Sequence, residues 1–429
     1  MADTVTPQET RDLLHADGEA ALLDLRDAGP FSMGHPLFAI PLPFDELTRR
    51  VGSLVPRTSA PILLIDDDGA AGGRAERAAG ALETMGYSDT RIVEGGIGGW
   101  DAAGYTLYEG VNVPSKTLGE LAELIWHPKM LKAEELATWQ DEGHDFHFYD
   151  CRPPSEYAKM RVPGATCLPN GEIAHRLSAI PDDKPLVLTC AGRTRGLIGA
   201  ISLSRICARE IYALENGTQG WALEGYALQR GNTADPYPEL DEAARNETRT
   251  LAEDFLADEK IPVINADTVA SLLAEEDRTT YLIDVRSAEE AASDPLPGFA
   301  HALSGQLVQS TDQWIGVRKA RVVLADDLGL RAGLAAWWLR MLGYEPYVTL
   351  LNDDLRDLTP PEMPQANDGA DNAPASKPAA PTQGQLAPDI PWFAHGRHDG
   401  DHDASRLYLS WEQGLVAQLD PEERAQFHL

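Results

Sequence analysis

The sequence predicts an α/β protein of three tandem modules, each a small parallel sheet flanked by helices, followed by a linker and a C-terminal docking helix. Three observations predict it. The segments ALLDLRD (21–27), HFYDCRP (147–153) and YLIDVRS (281–287) each read as a buried strand ending in Asp-x-Arg. A second apolar strand follows each one: PILLIDD (61–67), PLVLTCA (185–191) and RVVLADD (321–327). The interval from the aspartate to the end of the second strand is 42, 40 and 42 residues (Asp24 to Asp66, Asp150 to Cys190, Asp284 to Asp326), so one unit is repeated.

Each second strand gives way to a helical pattern: RAERAAGALETMGY (74–87), TRGLIGAISLSRICA (194–208) and RAGLAAWWLRMLGY (331–344). A third strand and a glycine turn then follow in the first two copies, as RIVEGGIGGW (91–100) and IYALENGTQGW (211–221). The third copy has YVTLLND (347–353) and no Gly-Trp, so its end is altered. Strands alternating with helices at this spacing imply parallel pairing with right-handed crossovers. The predicted modules span 1–112, 113–232 and 246–352, with joints at 109–121 and 231–247. Residues 353–390 are rich in Pro, Ala, Asp, Asn and Gln and predict a flexible linker. Residues 391–429 form a terminal segment in which LYLSWEQGLVA (407–417) has the apolar spacing of a docking helix.

Composition narrows the function. With 68 Asp and Glu against 36 Lys and Arg, the net charge of −32 argues against nucleic-acid binding, which needs a basic face. No apolar run reaches the roughly 18 residues that cross a bilayer. The opening MADTVTPQET lacks the pattern of a secretory signal, and four cysteines without paired spacing argue for a reducing compartment. A cytoplasmic location is expected.

Only the second copy places a nucleophile at the strand-to-helix turn. Where it has Cys190, the first has Asp66 and the third has Asp326. A thiol there meets converging backbone N–H groups and the positive end of the following helix, both of which favour thiolate. Gly192 allows a tight curl. Arg193 and Arg195 supply cationic charge for an anionic donor. Asp150, Arg152 and Glu156 are expected to form a supporting ion-pair network. Cys151 and Cys207 read as small core residues, and Cys167 as a semi-exposed thiol. Lys116, in the first joint, is either a solvated linker lysine or a group facing the donor. The histidines and aspartates of HGRHDGDHD (395–403) have no recognised ligand spacing, so no metal site is expected there.

The strand ending in Cys190, the loop Cys190-Ala191-Gly192-Arg193-Thr194-Arg195 and the helix after it resemble the active-site loop of rhodanese sulfurtransferases. The Asp-x-Arg strand ends, Val162-Pro163-Gly164-Ala165 and Asn216-Gly217-x-x-Gly220-Trp221 resemble further landmarks of that family. GVNVPSK (110–116) and CAGRTRGLIGA resemble bacterial multidomain members that carry several modules and few active cysteines. The resemblance covers about residues 1–352. It implies three rhodanese-like domains, of which the first and third are silent. The first departs through its longer DDDGAAGGR loop (66–74), and the third through its Asp326.

The resemblance also implies ping-pong chemistry without a cofactor. Cys190 would take sulfur from a small anionic donor such as thiosulfate or 3-mercaptopyruvate, held by Ala191, Gly192, Arg193, Thr194, Arg195 and Lys116. The persulfide would then pass to a thiol, to cyanide or to a protein acceptor. Arg193 is the first choice for binding the donor, and Arg195 for pairing with Asp150 or Glu156 to hold the loop. Two other readings stay open. One is a persulfide carrier or scaffold, supported by the two silent modules. The other is a cysteine-dependent phosphatase, which usually has five residues between Cys and Arg; here there are four, a smaller cradle that suits sulfur better than phosphate.

Overall fold

In the computed structural model, residues 3–360, 364, 396–397 and 400–429 are described. Three five-stranded sheets follow one another along the chain. The first comprises β1 (Asp3–Val5), β2 (Ala21–Asp24), β3 (Ala39–Pro41), β4 (Ile62–Ile65) and β5 (Thr90–Val93). The second has β6 (Lys129–Leu131), β7 (His147–Asp150), β8 (Thr166–Cys167), β9 (Leu186–Thr189) and β10 (Ile211–Leu214). The third has β11 (Val263–Ile264), β12 (Thr280–Asp284), β13 (Ala300–His301), β14 (Arg321–Asp326) and β15 (Glu345–Leu350). Every pairing is parallel, and the order is the same each time: β1-β5-β4-β2-β3, β6-β10-β9-β7-β8 and β11-β15-β14-β12-β13.

The three long strands per module are those that the apolar runs mark. The two outer strands escape a reading of the sequence because each has only two or three residues, too few to show a period of two. The central strands β2, β4, β9 and β14 are buried on both faces, which explains their continuous apolar character. Register fixes the site. The aspartates of Asp-x-Arg, Asp24, Asp150 and Asp284, lie beside Ile65, Thr189 and Ala325, each one residue before the loop position held by Asp66, Cys190 or Asp326.

Two expectations are corrected. The first joint is a 14-residue helix, Val113–Trp126, whose first ten residues include nine buried ones, and Lys116 among them is only 2% exposed. The helix forms because VPSKTLGELAELIW starts with Pro at N2 and carries an apolar side of Val113, Leu118, Leu121 and Ala122. The expected linker also starts too early. Asp353–Arg356 is a helix capped by Asn352, with Leu355 buried and Arg356 paired to Asp294 at 2.8 Å. Residues 361–363 and 365–390 of that predicted linker lie outside the described residues.

The tail contributes a helix, His402–Gln418, longer than the 407–417 stretch that showed apolar spacing. Asp401 caps it by accepting from the backbone N–H groups of Asp403 and Ala404. It packs along Val113–Trp126 and against the helix Gly217–Leu223 of the second module. Trp411 anchors it by donating from Nε1 to the Glu109 carbonyl at 2.9 Å. The second and third modules meet where Asn170–His175 packs on Leu330–Met341 and Thr194–Ile206 packs on Ser304–Gln309. There Trp338 donates to the Ser202 hydroxyl at 2.8 Å and packs edge-on to Trp126.

Candidate active site

Cys190 follows β9 and is 2% exposed. The Gly196 amide, in the first turn of Thr194–Ile206, points at its sulfur with N···Sγ 3.4 Å. The turn after β10 supports the loop from behind. Thr218 N donates to the Cys190 carbonyl at 2.8 Å, and Gln219 N to the Ala191 carbonyl at 3.2 Å. Gly217 makes this approach possible. Its φ is +54°, and a Cβ there would lie 2.3 Å from the Cys190 carbonyl oxygen.

The two copies that have aspartate in place of Cys190 explain the geometry. In the third module Asp326 accepts from the backbone N–H groups of Arg331 at 3.0 Å and Ala332 at 3.3 Å. In the first, Asp66 accepts from Gly69 at 2.7 Å and Ala75 at 2.9 Å. Ala332 stands six residues after Asp326, as Gly196 stands six after Cys190; Ala75 stands nine after Asp66 because that loop is three residues longer. One amide cradle therefore holds a thiol in one copy and a carboxylate in the other two. It is an anion-binding nest.

Thr194 and Arg195 belong to the helix's first turn rather than to the loop. Arg195 donates to both oxygens of Glu156, at 2.6 and 2.7 Å, and crosses to Oε1 of Gln306 in the third module at 2.7 Å. Arg193 turns to the helix Val113–Trp126, donating to Glu120 at 2.7 and 3.1 Å, to Glu123, and to Asn216 at 3.2 Å. Burial pushes the Glu120 carboxyl up to about 7, against the pull of Arg193. Asp150 and Arg152 are joined through two bonds, at 2.9 and 2.7 Å, and Arg152 also donates to the Met160 carbonyl. The pair sits at the C-terminal end of β7 with almost no exposure.

The tail helix covers this loop. Lys116 Nζ donates to the Tyr408 hydroxyl at 2.6 Å, lies 3.6 Å from Oε1 of Glu412 and faces the Tyr408 and Trp411 rings. The Thr194 hydroxyl donates to the same Glu412 oxygen. A Cβ on Gly192 would lie 3.2 Å from the Tyr408 ring and 3.3 Å from Oε2 of Glu412. The backbone at Gly192 is not left-handed, so the curl does not demand glycine. A side chain there would need Tyr408, Gln219 and Glu412 to give by a few tenths of an ångström.

Burial pushes the Cys190 thiol up, and Glu412 adds to that rise. The charge of Arg195 and the amides of Gly196 and Gly192 pull it down without cancelling the burial. This runs against the expectation that the turn and the arginines lower the pKa, because burial outweighs them. Cys167 is likewise corrected from semi-exposed to buried, its thiol directed at the Arg152 carbonyl and pushed up to about 12 by burial. Cys151 is buried and Cys207 partly buried, and all four thiols are free.

Several site residues escaped the sequence reading: Glu120, Glu123, Asn216, Gln306, Tyr408 and Glu412. A signal existed for some. Lys116, Glu120 and Glu123 recur at i, i+4 and i+7 on a helix, and Tyr408, Trp411, Glu412 and Leu415 do so in the tail. Of the 395–403 cluster, His395, His398 and Asp399 lie outside the described residues.

Comparison with known proteins agrees with this architecture. The rhodanese-like domain model matches residues 6–103 and 132–224. Those two stretches are rhodanese-like domains, and the third module repeats their strand order. It is similar over 100% of its length to a crystal structure described as a thiosulfate sulfurtransferase from Pseudomonas aeruginosa, with 29% identity, a TM-score of 0.87 and 99% of that chain covered. A sulfurtransferase of Allochromatium vinosum is 28% identical over 98 residues, 23% of this chain and 92% of that protein. An HTH-type transcriptional regulator of Mycobacterium tuberculosis is 31% identical over 91 residues, 21% of this chain, and the match spans only 40% of the regulator.

Proposed function

We propose that the second module is a sulfurtransferase that moves sulfane sulfur through a Cys190 persulfide. The observation that carries this reading is the shared cradle: the amides that hold the Asp66 and Asp326 carboxylates converge at Cys190 on sulfur. In the first half-reaction the Cys190 thiolate attacks the outer sulfur of thiosulfate, the S–S bond of the donor breaks, and sulfite leaves with the electron pair. With 3-mercaptopyruvate the thiolate attacks the donor's sulfur, its C–S bond breaks, and the enolate that leaves takes a proton from water to become pyruvate. The persulfide is then transferred to a thiol or to cyanide. No cofactor is required.

The contacts support a division of labour between the arginines. Arg195 acts electrostatically on Cys190, while Arg193 positions the loop through Glu120 and Glu123. Lys116, already in the cap over the loop, supplies a further cation for the donor once the tail helix yields. The neighbours named as sulfurtransferases and the four free thiols support sulfur chemistry in a reducing, cytoplasmic setting.

A second reading rests on the 2% exposure of Cys190. In it the persulfide forms but is released only to a protein that displaces the tail, with the silent modules serving as contacts. One assay separates these. Wild-type protein releasing thiocyanate from thiosulfate and cyanide, with Cys190→Ser inactive, supports the enzyme; persulfide without turnover supports the carrier. Hydrolysis of an aryl phosphate would favour a phosphatase instead.

A further inference from the structure

The tail helix brings one oxygen to the loop with nothing to bind. Glu412 is 1% exposed, and its two oxygens differ. Oε1 accepts from the Thr194 hydroxyl and lies 3.6 Å from Lys116 Nζ. Among the described residues no hydrogen-bond donor reaches the buried Oε2. A buried carboxylate oxygen left unpaired carries a desolvation penalty, so a proton donor is missing there. Its place is defined by Gly192: Oε2 faces the side where a Cβ would stand, while the Gly192 amide contributes to the cradle of Cys190. Glu412 and Cys190 are close enough for the carboxylate charge to act on the thiol.

The missing donor is an S–H group. A thiosulfate dianion brings no proton and is repelled by the carboxylate, whereas an acceptor thiol brings one that it must lose before it attacks. We propose that Glu412 is the proton acceptor for thiol co-substrates in the second half-reaction, an assignment that rests on the sulfur-transfer reading above. Oε2 takes the thiol proton. The thiolate electron pair then forms a bond to the outer sulfur of Cys190–S–SH, the Cys190 S–S bond breaks, and its pair returns to Cys190 as thiolate. The products are an R–S–SH persulfide and protonated Glu412, which gives its proton to water. Thr194 and Lys116 hold the carboxylate in place by its other oxygen. The tail helix is then part of the active site, and it selects uncharged thiols as acceptors.

The test loads the full-length wild type, Glu412→Gln and Glu412→Ala with thiosulfate, removes the excess and follows loss of the persulfide by intact mass. Three acceptors are compared at a mildly alkaline pH: 2-mercaptoethanol, which stays largely protonated; thiophenol, which is already ionised; and sulfite, which has no S–H. Glu412→Gln should slow discharge by 2-mercaptoethanol about 10²-fold and leave discharge by thiophenol and sulfite undiminished. Loading of both variants reports that the site still folds. Equal losses with all three acceptors, or unchanged discharge by 2-mercaptoethanol, would overturn the role of Glu412 alone. A wild type that never acquires sulfur on Cys190 would overturn the sulfur-transfer reading and this assignment with it.

Discussion

Arg195 and Arg331 occupy the same place in facing modules, five residues after Cys190 and Asp326, and they make matching contacts. Arg195 binds Glu156 of its own module and Gln306 of the third; Arg331 binds Glu290 of its own module and Glu172 of the second, at 3.0 Å. Glu156 and Glu290 each stand six residues after the aspartate of Asp-x-Arg, and Glu172 and Gln306 hold the third position of the helices Asn170–His175 and Ser304–Gln309. The two modules are thus clasped through their loops. The Cys190 loop is braced by a module that has aspartate at the matching position.

This clasp predicts unequal costs. Arg331 is fully buried and also holds Asp326 and Asp327, each at 2.8 Å. Arg331→Met strands buried carboxylates and should cost about 3–5 kcal/mol in urea unfolding followed by tryptophan fluorescence. Arg195→Met leaves Glu156, whose side chain is 28% exposed, able to rehydrate, so the loss should be smaller. Equal losses would contradict this ranking by burial.

The shared cradle makes a second prediction. Cys190→Asp copies the residue that nature places in the sister loops, where amides receive a carboxylate. The variant should fold with a stability within about 1 kcal/mol of wild type, the scale of one hydrogen bond, and release no thiocyanate. A collapse of its urea midpoint would show that the cradles are not equivalent.

Arg193 should behave as a positioning residue. Arg193→Met leaves Glu120 buried without its partner, and both activity and stability should fall. Glu120→Gln added to it removes the stranded charge and should recover much of the stability but not the activity. Recovery of activity as well would mean that Arg193 only neutralises Glu120.

Stability should depend on pH through His35. Its ring is buried, stacked on Phe31 at 3.9 Å, and desolvation lowers its pKa from 6.5 to about 4. Between those values the unfolded chain binds a proton that the folded chain refuses, so stability falls as pH drops below about 6.5. At pH 5 the loss from this group is on the order of 1–2 kcal/mol. His35→Gln should flatten that part of the urea-midpoint profile; an unchanged slope would exclude His35.

The repeat, the order of long strands and helices, and the position of Cys190 were legible because apolar runs and loop lengths are local properties. Glu156 as a partner of Arg195 was legible too, but the partners that come from other modules and from the tail were not. Arg193 meets Glu120 across 73 residues and Thr194 meets Glu412 across 218, and no spacing in one chain encodes such separations. Lys116 illustrates the limit. Pro114 and Ser115 before it suggest a joint, yet the helix they open is buried because the tail helix packs over it.

The most direct test of the account is the intact mass of wild-type and Cys190→Ser protein after incubation with thiosulfate and, separately, with 3-mercaptopyruvate. The account predicts a mass gain of one sulfur atom on the wild type, mapped to the peptide containing Cys190 and removed by cyanide or thiol, and no gain on Cys190→Ser. Sulfur on Cys151, Cys167 or Cys207 instead, or an equal gain on Cys190→Ser, would contradict it.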